Sequence, residues 1–307
     1  MLFKTIISGR LEFGNPRALE KVMEMYAHRM ENYFKSDVLI KIEEVVQQET
    51  LSISIPRHIS QSSEKTWINT TNLLDYIAQF SLAGSVSMWM IDQGKVIDEK
   101  HIEPSGEKAA VQSYKTGKQL AQQPGKEDEA KQAFNNAIEK FERHALAYER
   151  RGYVNYKLGN YDDALYDFNK SICFHPENAD PYIGVAIVYL TKNEYQKAIE
   201  YLDLAMKTSI PHQPVYWQCR RLKGEALIAL SQFDEAVKEL KLFLGRNYTP
   251  HDPNHKWIGK ATFDCGKALL YAGKYLEAVE MLDKSQSIEE HPDFMPLKDM
   301  ALQKSMA

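Results

Sequence analysis

Apolar residues follow two different periods along the chain, and the change between them falls near residue 105. From about residue 109 onward they recur every three or four positions, which is the spacing of one buried face of an α-helix. A small residue precedes an alanine by 12 positions in four places, at Gly152 and Ala164, Ala186 and Ala198, Gly224 and Ala236, and Gly266 and Ala278. These pairs recur about every 34 residues, a pattern that predicts helix-turn-helix units stacked in an array.

The segment 145–178 resembles the tetratricopeptide repeat in detail. It carries residues typical of that repeat at Tyr148, Gly152, Gly159, Tyr161, Ala164, Phe168 and Pro176. Gly159 is expected to end the first helix, Asn160 to cap the second and Pro176 to stop it. The resemblance implies a solenoid whose first helices line a concave groove that binds a partner chain.

Five units of this kind fit the helical part of the chain. We predict an array over 109–293, a capping helix over 294–307, and repeats at 109–144, 145–178, 179–212, 217–250 and 259–292. The first unit departs from the pattern because its turn, QQPGKED, carries one extra residue. Such an array makes binding the default function and leaves the identity of the partner open.

Residues 1–104 alternate apolar and polar positions, which predicts strands. LFKTIISGRLEF predicts the first strand, and VSMWMID and KVIDEKHIE predict a hairpin that turns at Gln93 and Gly94. DVLIKIEEVV and LSISIPR predict a second hairpin around QQET. The alternation therefore indicates a small sheet domain before the array.

Two amphipathic helices complete this N-terminal domain, which we call the head. RALEKVMEMYAHRMENYF follows Asn15 as N-cap and Pro16 at the first helical position, and EKTWINTTNLLDYIAQFSLAG is expected to run to Gly84. The order βαββαβ(β) resembles a ferredoxin-like sandwich. We therefore predict an α+β domain over 1–104, with both helices on one face of an antiparallel sheet, followed by an all-α solenoid.

A junction of about five residues, 104–108, joins the head to the array. It is too short for wide independent motion, so we expect the head to pack on the first repeat or to mediate self-association through its sheet. The whole arrangement resembles a family of bacterial tetratricopeptide-repeat proteins with a small N-terminal α/β domain. That resemblance implies the domain boundary and no chemistry.

Composition and charge exclude several classes of function. The chain has 38 Lys and Arg against 42 Asp and Glu, and 44% of its residues are hydrophobic, so we expect a globular protein that does not bind nucleic acid. No apolar run approaches the ~18 residues of a membrane span, and the N-terminus lacks the pattern of a signal peptide. Cys173, Cys219 and Cys265 show no C-x-x-C spacing, which favours reduced thiols and a cytoplasmic location.

The resemblance to the repeat superfamily implies which side chains line the groove. We select eight candidate partner-binding residues on the first helices, Tyr114, Lys118, Arg150, Tyr153, Lys157, Ile187, Arg221 and Lys267. Basic and aromatic groups predominate, so an extended partner protein or peptide with acidic character would fit. A solvated groove of mixed charge without a strong preference is the alternative.

One binding mode of the superfamily is disfavoured. Members that clamp the C-terminal carboxylate of a partner need lysine, asparagine and arginine at set groove positions in three successive repeats. The residues at those positions here are Glu149 and Tyr153, then Gly184, then Gln218 and Leu222. We therefore do not expect a receptor for chaperone tails.

The long connector before the last repeat holds a candidate metal site. His251, Asp252 and His255 place two imidazoles four residues apart beside a carboxylate, a set that could bind zinc. Pro250 and Pro253 argue against a helix that would put both imidazoles on one face. We therefore expect an ordinary loop and no metal.

One short motif suggests catalysis without support from any other. Ser62 and Lys65 match the S-x-x-K nucleophile motif, but its companions S-D-N and K-T-G are missing. Ser62 or Ser63 more simply caps the helix that begins near Glu64. Because no G-x-G-x-x-G, Walker or H-E-x-x-H motif occurs either, we predict no enzyme activity and no cofactor.

Two hypotheses of different classes remain. In the first, the chain is a scaffold whose array binds a segment of a partner protein. In the second, the head senses a small molecule or carries an activity, and the array supports it or makes a dimer. The second has weaker motivation, because ferredoxin-like domains host many unrelated activities.

Overall fold

The alternating segments of the N-terminal part form one antiparallel sheet in the computed structural model, which describes residues 1–306. Within these residues the sheet has five strands in the order β2-β3-β1-β4-β5, and each neighbouring pair is antiparallel. The elements of the head are β1 (Phe3–Glu12), α1 (Pro16–Asn32), α2 (Ile42–Val45), β2 (Val46–Gln47), β3 (Ser52–Ser62), α3 (Glu64–Ala78), β4 (Ala83–Asp92) and β5 (Lys95–Ile102).

Helices α1 and α3 share one hydrophobic core with the sheet. Leu19 and Tyr26 of α1 and Trp67 of α3 are buried in the same cluster as Ile7 and Leu11 of β1. The β1 residues stand four positions apart and therefore point to the same face of the sheet. Burial of each such side chain stabilises the fold by about 1.5–3 kcal/mol.

The first helix begins where the sequence signals predict. Asn15 Oδ1 accepts a hydrogen bond from the Ala18 amide at 2.9 Å, and Pro16 is the first residue of α1. At the start of α3, Ser63 Oγ accepts from the Thr66 amide at 3.1 Å. Both predicted caps are confirmed, and Ser63 is the cap of α3.

The hairpin between β4 and β5 also has the predicted turn. Gln93 and Gly94 both adopt positive φ, at 47° and 79°. Two consecutive residues in this region make the turn that matches the twist of a two-stranded hairpin. The predicted hairpin is confirmed.

The strand predicted from DVLIKIEEVV is wrong for most of its length, because α2 and the two-residue β2 stand in its place. Side chains of α1 and α3 pair with two of its backbone groups. The Tyr26 hydroxyl donates to Ile40 O at 2.7 Å, and the Leu39 amide donates to Thr70 Oγ1 at 2.9 Å. The segment therefore buries its apolar residues without a long strand partner.

The predicted end of the second helix at Gly84 is also wrong. Helix α3 ends at Ala78, and Gly84 lies in β4 opposite Leu11. Its φ is +98°, and a Cβ there would lie 2.0 Å from Arg10 O. Glycine is required because the two strand backbones approach closely at this point.

The remaining chain consists of helices, and the structure divides the chain into two compact units. Unit 1, Met1–Asn178, holds the head and α4 to α7, and unit 2 begins at Ala179. Among residues 1–306, no helix has both the length and the apolar character needed to cross a membrane. The bounds are α4 (Ala109–Ala121), α5 (Glu127–Lys140), α6 (Ala145–Lys157), α7 (Tyr161–Phe174), α8 (Asp180–Thr191), α9 (Tyr195–Thr208), α10 (Pro214–Ala229), α11 (Phe233–Leu244), α12 (Ile258–Tyr271), α13 (Tyr275–Gln286) and α14 (Phe294–Ser305).

The small residues of the repeated pattern face one large side chain of the following helix. A Cβ at Gly152 would lie 2.8 Å from the ring of Phe168, and a Cβ at Gly224 would lie 2.6 Å from Leu240. Gly117 and Gly266 face Phe134 and Leu282 in the same way. Asn160 precedes α7 as predicted, although its side chain makes no capping hydrogen bond.

Hydrogen bonds hold the junction between the head and α4 in unit 1. Lys118 Nζ on α4 donates to both carboxylate oxygens of Glu103, at 2.7 and 2.9 Å. Lys115 Nζ donates to Ser105 O at 3.3 Å, and Lys108 Nζ donates to Phe80 O. The junction is therefore fixed in place on both sides.

Candidate functional site

The first helices of the helix pairs form a cleft in each compact unit. In unit 1 the α4–α6 cleft has a volume of about 370 Å³ and is lined by Lys118, Ala121, Gln122, Arg150, Tyr153, Val154 and Lys157. In unit 2 the α10–α12 cleft has a volume of about 530 Å³ and is lined by Glu225, Ile228, Ala229, Ser231, Phe233, Lys260, Asp264, Lys267 and Tyr271.

Carboxylates that do not line the α4–α6 cleft hold two of its basic side chains. Glu103 binds Lys118 from the junction side. Although burial raises its pKa, hydrogen bonds from His101 and Lys118 bring the pKa of Glu103 down to about 2. Arg150 Nε lies 3.5 Å from Glu149 Oε1, and the Glu149 side chain is only 1% exposed. These contacts orient the two cations while 44% of the Arg150 side chain stays exposed.

The apolar part of the α4–α6 cleft rests on side chains of the second helices, α5 and α7. Tyr153 stands edge-on to the buried ring of Phe168, with the ring centroids 4.9 Å apart. Val154 is buried in a cluster with Phe134. Because these contacts fix the apolar surface, the cleft is formed before any partner binds.

Charges within the α10–α12 cleft compensate one another. Lys260 Nζ lies 3.0 Å from Glu225 Oε1 and 2.8 Å from Asp264 Oδ2. Burial lowers the pKa of Lys260, but the two carboxylates raise it by more than burial lowers it, so the net shift of the pKa is upward. Phe233 and Tyr271 stack with their ring centroids 5.2 Å apart. This cleft therefore offers an aromatic surface beside a neutralised ionic network.

The structure brings five of the eight predicted site residues to these clefts. Four line the α4–α6 cleft and one lines the α10–α12 cleft, namely Lys118, Arg150, Tyr153, Lys157 and Lys267. Ile187 on α8 is partly buried in a cluster with Leu222. The sequence missed the stacked Phe233 and Tyr271, which lie at a helix start and a helix end and so outside the groove positions.

Two of the predicted site residues are buried. Tyr114 is 4% exposed, its ring lies 4.8 Å from that of His144, and burial raises its pKa well above the usual range. Arg221 is also 4% exposed, pairs with Glu225 and lies 4.3 Å over the Trp257 ring. Both side chains support the walls of the groove and have little surface to offer a partner.

The loop with the candidate metal ligands is held by its own polar groups. Asp252 Oδ1 accepts from the Asn254 amide at 2.9 Å, and Asp252 Oδ2 lies 3.5 Å from Arg246 Nη2. Asn254 Nδ2 in turn donates to Pro214 O at 2.9 Å. Within residues 1–306, no group of three His, Cys, Asp or Glu side chains is placed to hold a metal ion.

The head offers a shallow cleft and a buried serine. The cleft has a volume of about 390 Å³ near the end of α1, where the Arg29 guanidinium lies 3.4 Å over the Tyr76 ring. Ser62 is 3% exposed, and Lys65 Nζ lies 3.5 Å from Asp37 Oδ2. Of the two S-x-x-K residues, Ser62 is therefore buried in the head and Lys65 is paired with Asp37.

Comparisons with known proteins match the helical part of the chain. A family model described as the tetratricopeptide repeat matches residues 119–180, and one described as anaphase-promoting complex, cyclosome, subunit 3 matches residues 157–243. A TPR repeat-containing protein of Methanocaldococcus jannaschii is 34% identical over 64 residues, which are 21% of this chain and 11% of that protein. The BBSome complex member BBS4 of Bos taurus is 27% identical over 115 residues, 38% of this chain and 21% of that protein.

A solved structure shows the same fold of the helices. The crystal structure of PilW, described as a widely conserved type IV pilus biogenesis factor, superposes with a TM-score of 0.52 at 18% identity. The match covers 65% of this chain and 89% of PilW. The chain thus spans only a small part of the curated relatives it matches, and the likeness to PilW concerns the fold alone.

Proposed function

Because the chain belongs to the tetratricopeptide-repeat superfamily, we propose that it is a non-enzymatic scaffold whose first helices bind a segment of a partner protein. The observation that carries this proposal is the pair of preformed clefts, one in each compact unit. Each combines aromatic surface with several charged groups, which is the composition of a site that recognises a peptide segment. We propose Lys118, Arg150, Tyr153, Lys157 and Lys267 as contacts.

We further infer a repeat organisation and a head topology. Helix pairs support repeats at 109–144, 145–178, 179–212, 217–250 and 259–292, with α14 as a closing helix. The strand order β2-β3-β1-β4, with all neighbours antiparallel, supports a ferredoxin-like head to which β5 is added. The cytoplasmic location stays a prediction.

Site-directed photocrosslinking in the native cells tests the scaffold. A photoreactive amino acid is placed at Gln122 or Lys157 for the α4–α6 cleft and at Ala229 or Lys267 for the α10–α12 cleft. We expect a discrete protein adduct from at least one cleft, because a bound segment lies within reach of the reactive group.

Exposed positions on second helices provide the matched control. Lys207 on α9 and Lys238 on α11 carry the same reactive group and should give no adduct of that size. Equal adducts from the clefts and from Lys207 or Lys238 would contradict the proposal, as would adducts from the control positions alone.

A further inference from the structure

We propose that the α4–α6 cleft receives the side-chain carboxylates of an acidic segment within the partner protein. The inference rests on the proposed function, since it specifies which kind of segment enters one of the two clefts. Among the described residues that line this cleft, every charged side chain is basic, at Lys118, Arg150 and Lys157. The surface of this cleft therefore favours a partner segment that carries negative charge.

The other cleft shows what a neutralised groove looks like in the same chain. Glu225 and Asp264 line the α10–α12 cleft together with Lys260 and Lys267, so its acidic and basic groups balance. Lys260 binds both carboxylates. An acidic segment would gain no net attraction there but would be attracted in the α4–α6 cleft, so only the α4–α6 cleft favours a partner of one charge sign.

The acidic neighbours of the α4–α6 cleft lie in its wall and not on its surface. Glu149 is only 1% exposed on its side chain, and Asn178 Nδ2 donates to Glu149 Oε2 at 2.6 Å. Glu103 binds Lys118 from the junction with the head. Glu149, which is buried, and Glu103, which is partly exposed, hold two cations in place, so binding of a partner need not carry the full entropic cost of ordering them. Lys157 adds a third cation, whose Nζ lies 3.5 Å from Ala121 O.

The apolar lining restricts the segment further. Ala121, Tyr153 and Val154 lie between the basic groups, in a volume of about 370 Å³ that suits a few side chains. A segment in which an acidic residue stands next to an apolar residue fits both parts of the lining. Charge-assisted hydrogen bonds to Arg150 and Lys157 would then fix its register.

Side-chain carboxylates are favoured over the C-terminal carboxylate of a partner. In the members of the superfamily that clamp a terminal carboxylate, the groove position of Glu149 carries a lysine. Here it carries a buried carboxylate instead. The lysine that would hold a terminal carboxylate is thus replaced at this position, whereas side-chain carboxylates can still pair with Arg150 and Lys157.

Selection from a random peptide library tests the inference with the full chain as bait. Peptides of twelve residues with amidated C-termini are selected on the wild type, on Arg150→Glu/Lys157→Glu and on Lys207→Glu/Lys238→Glu. The last variant changes the net charge equally on exposed second-helix positions. We expect wild type and the control to enrich Asp and Glu beside apolar residues, and the cleft variant to enrich Lys and Arg.

Affinities of one selected peptide separate the possible sources of charge. Replacing its Glu residues with Gln should weaken binding at least tenfold, and higher salt should weaken it too. A free C-terminus should leave the affinity within about twofold of the amidated form. Binding that depends on the free C-terminus, or that survives the change to Gln, overturns the inference.

The outcomes also distinguish this inference from the proposed function. One outcome would overturn the acidic preference and leave the proposed scaffold function intact. In that outcome the selected peptides show no acidic enrichment and Ala229→Arg abolishes their binding, because Ala229 lines the other cleft. Failure to select any peptide, or peptides that bind every cleft variant as well as wild type, counts against both proposals.

Discussion

At the scale of the residue, the repeated small positions are sites where a helix makes room for one large side chain. The sequence pairs Gly152 with Ala164, but the atoms nearest a Cβ at Gly152 belong to the Phe168 ring. The spacing of small residues could be read from the sequence. Their packing partner could not, because it depends on how deeply the following helix lies against the first.

A single methyl group at this contact should destabilise the fold. Gly152→Ala would place a Cβ 2.8 Å from the fully buried ring of Phe168, so the ring would have to shift. We expect a loss of about 1–3 kcal/mol in the free energy of unfolding, measured with urea. Adding Phe168→Leu should recover much of it, since Ala186 and Leu202 stand at the equivalent positions of the next pair. An equal loss in the single and double variants would contradict this packing account.

Burial also differs between two arginines that occupy similar positions in the repeat pattern. Both Arg150 and Arg221 stand on the groove face of a first helix, yet Arg221 is buried under Trp257. Trp257 belongs to the long connector and lies outside the repeat period. Periodicity therefore predicted the face of the helix, but not the side chain that covers it.

Charge reversal should affect these two arginines differently. Arg221→Glu would bury a carboxylate beside Glu225, and we expect it to lower the free energy of unfolding by about 3–5 kcal/mol. Arg150→Glu, on a side chain that is 44% exposed, should cost about 1 kcal/mol or less. Urea unfolding of both variants checks the difference, and similar losses would refute the assignment of Arg221 to the wall.

At the scale of the element, the sequence predicted most helices and both strands of the β4–β5 hairpin, but its prediction for the segment between α1 and β3 was wrong for most of the length. Val38, Ile40 and Ile42 recur at every second position as the buried residues of a strand do. The alternation indicates that one side of the segment is buried. A strand and an irregular segment can both bury one side, so the alternation does not distinguish them. The decisive hydrogen bonds come from Tyr26 and Thr70, which are distant in sequence and invisible to a local pattern.

Removing one of those hydrogen bonds should therefore weaken the head. Tyr26→Phe leaves the buried Ile40 carbonyl without the hydroxyl that donates to it at 2.7 Å. We expect a loss of about 1–3 kcal/mol in stability. Tyr33→Phe, at a side chain that is 66% exposed, is the matched control and should change little. Equal effects of the two substitutions in thermal unfolding would contradict the role of Tyr26.

At the scale of the whole molecule, a buried carboxylate of the head feels the charge of an arginine from the helical part of unit 1. Glu12 on β1 is 2% exposed and accepts from Arg10 Nε at 3.0 Å. Burial raises the pKa of Glu12 to about 7, although Arg10 and Arg143 oppose that shift. Arg143 lies between α5 and α6, so the compact unit includes helices that the sequence assigns to repeats. Charges brought together from such distant positions leave no periodic signal in the sequence.

The raised pKa of Glu12 should make the contribution of this group to stability fall as the pH rises. At Glu12 the folded chain binds more protons than the unfolded chain between pH 4.5 and about 7, so the stabilisation from this group is present below pH 4.5 and lost through that window. Relative to Glu12→Gln, the wild type should lose about 3 kcal/mol from low to neutral pH. His144 and His175, whose pKa values burial lowers to about 4, act in the opposite direction in both proteins and cancel in the difference. Urea unfolding as a function of pH would contradict the account if the difference stayed flat.

The central claim is that a partner segment binds on the first helices. Crosslinking at Lys157 first identifies the partner segment. The most direct test of the claim is then the affinity of that segment for variants of the full chain. We predict that Arg150→Ala and Tyr153→Ala each weaken binding at least about tenfold, as truncation of a central Arg or Tyr does at many interfaces. Lys207→Ala and Lys238→Ala on second helices should change it less than about twofold. Equal affinities for all four variants and the wild type would contradict the claim.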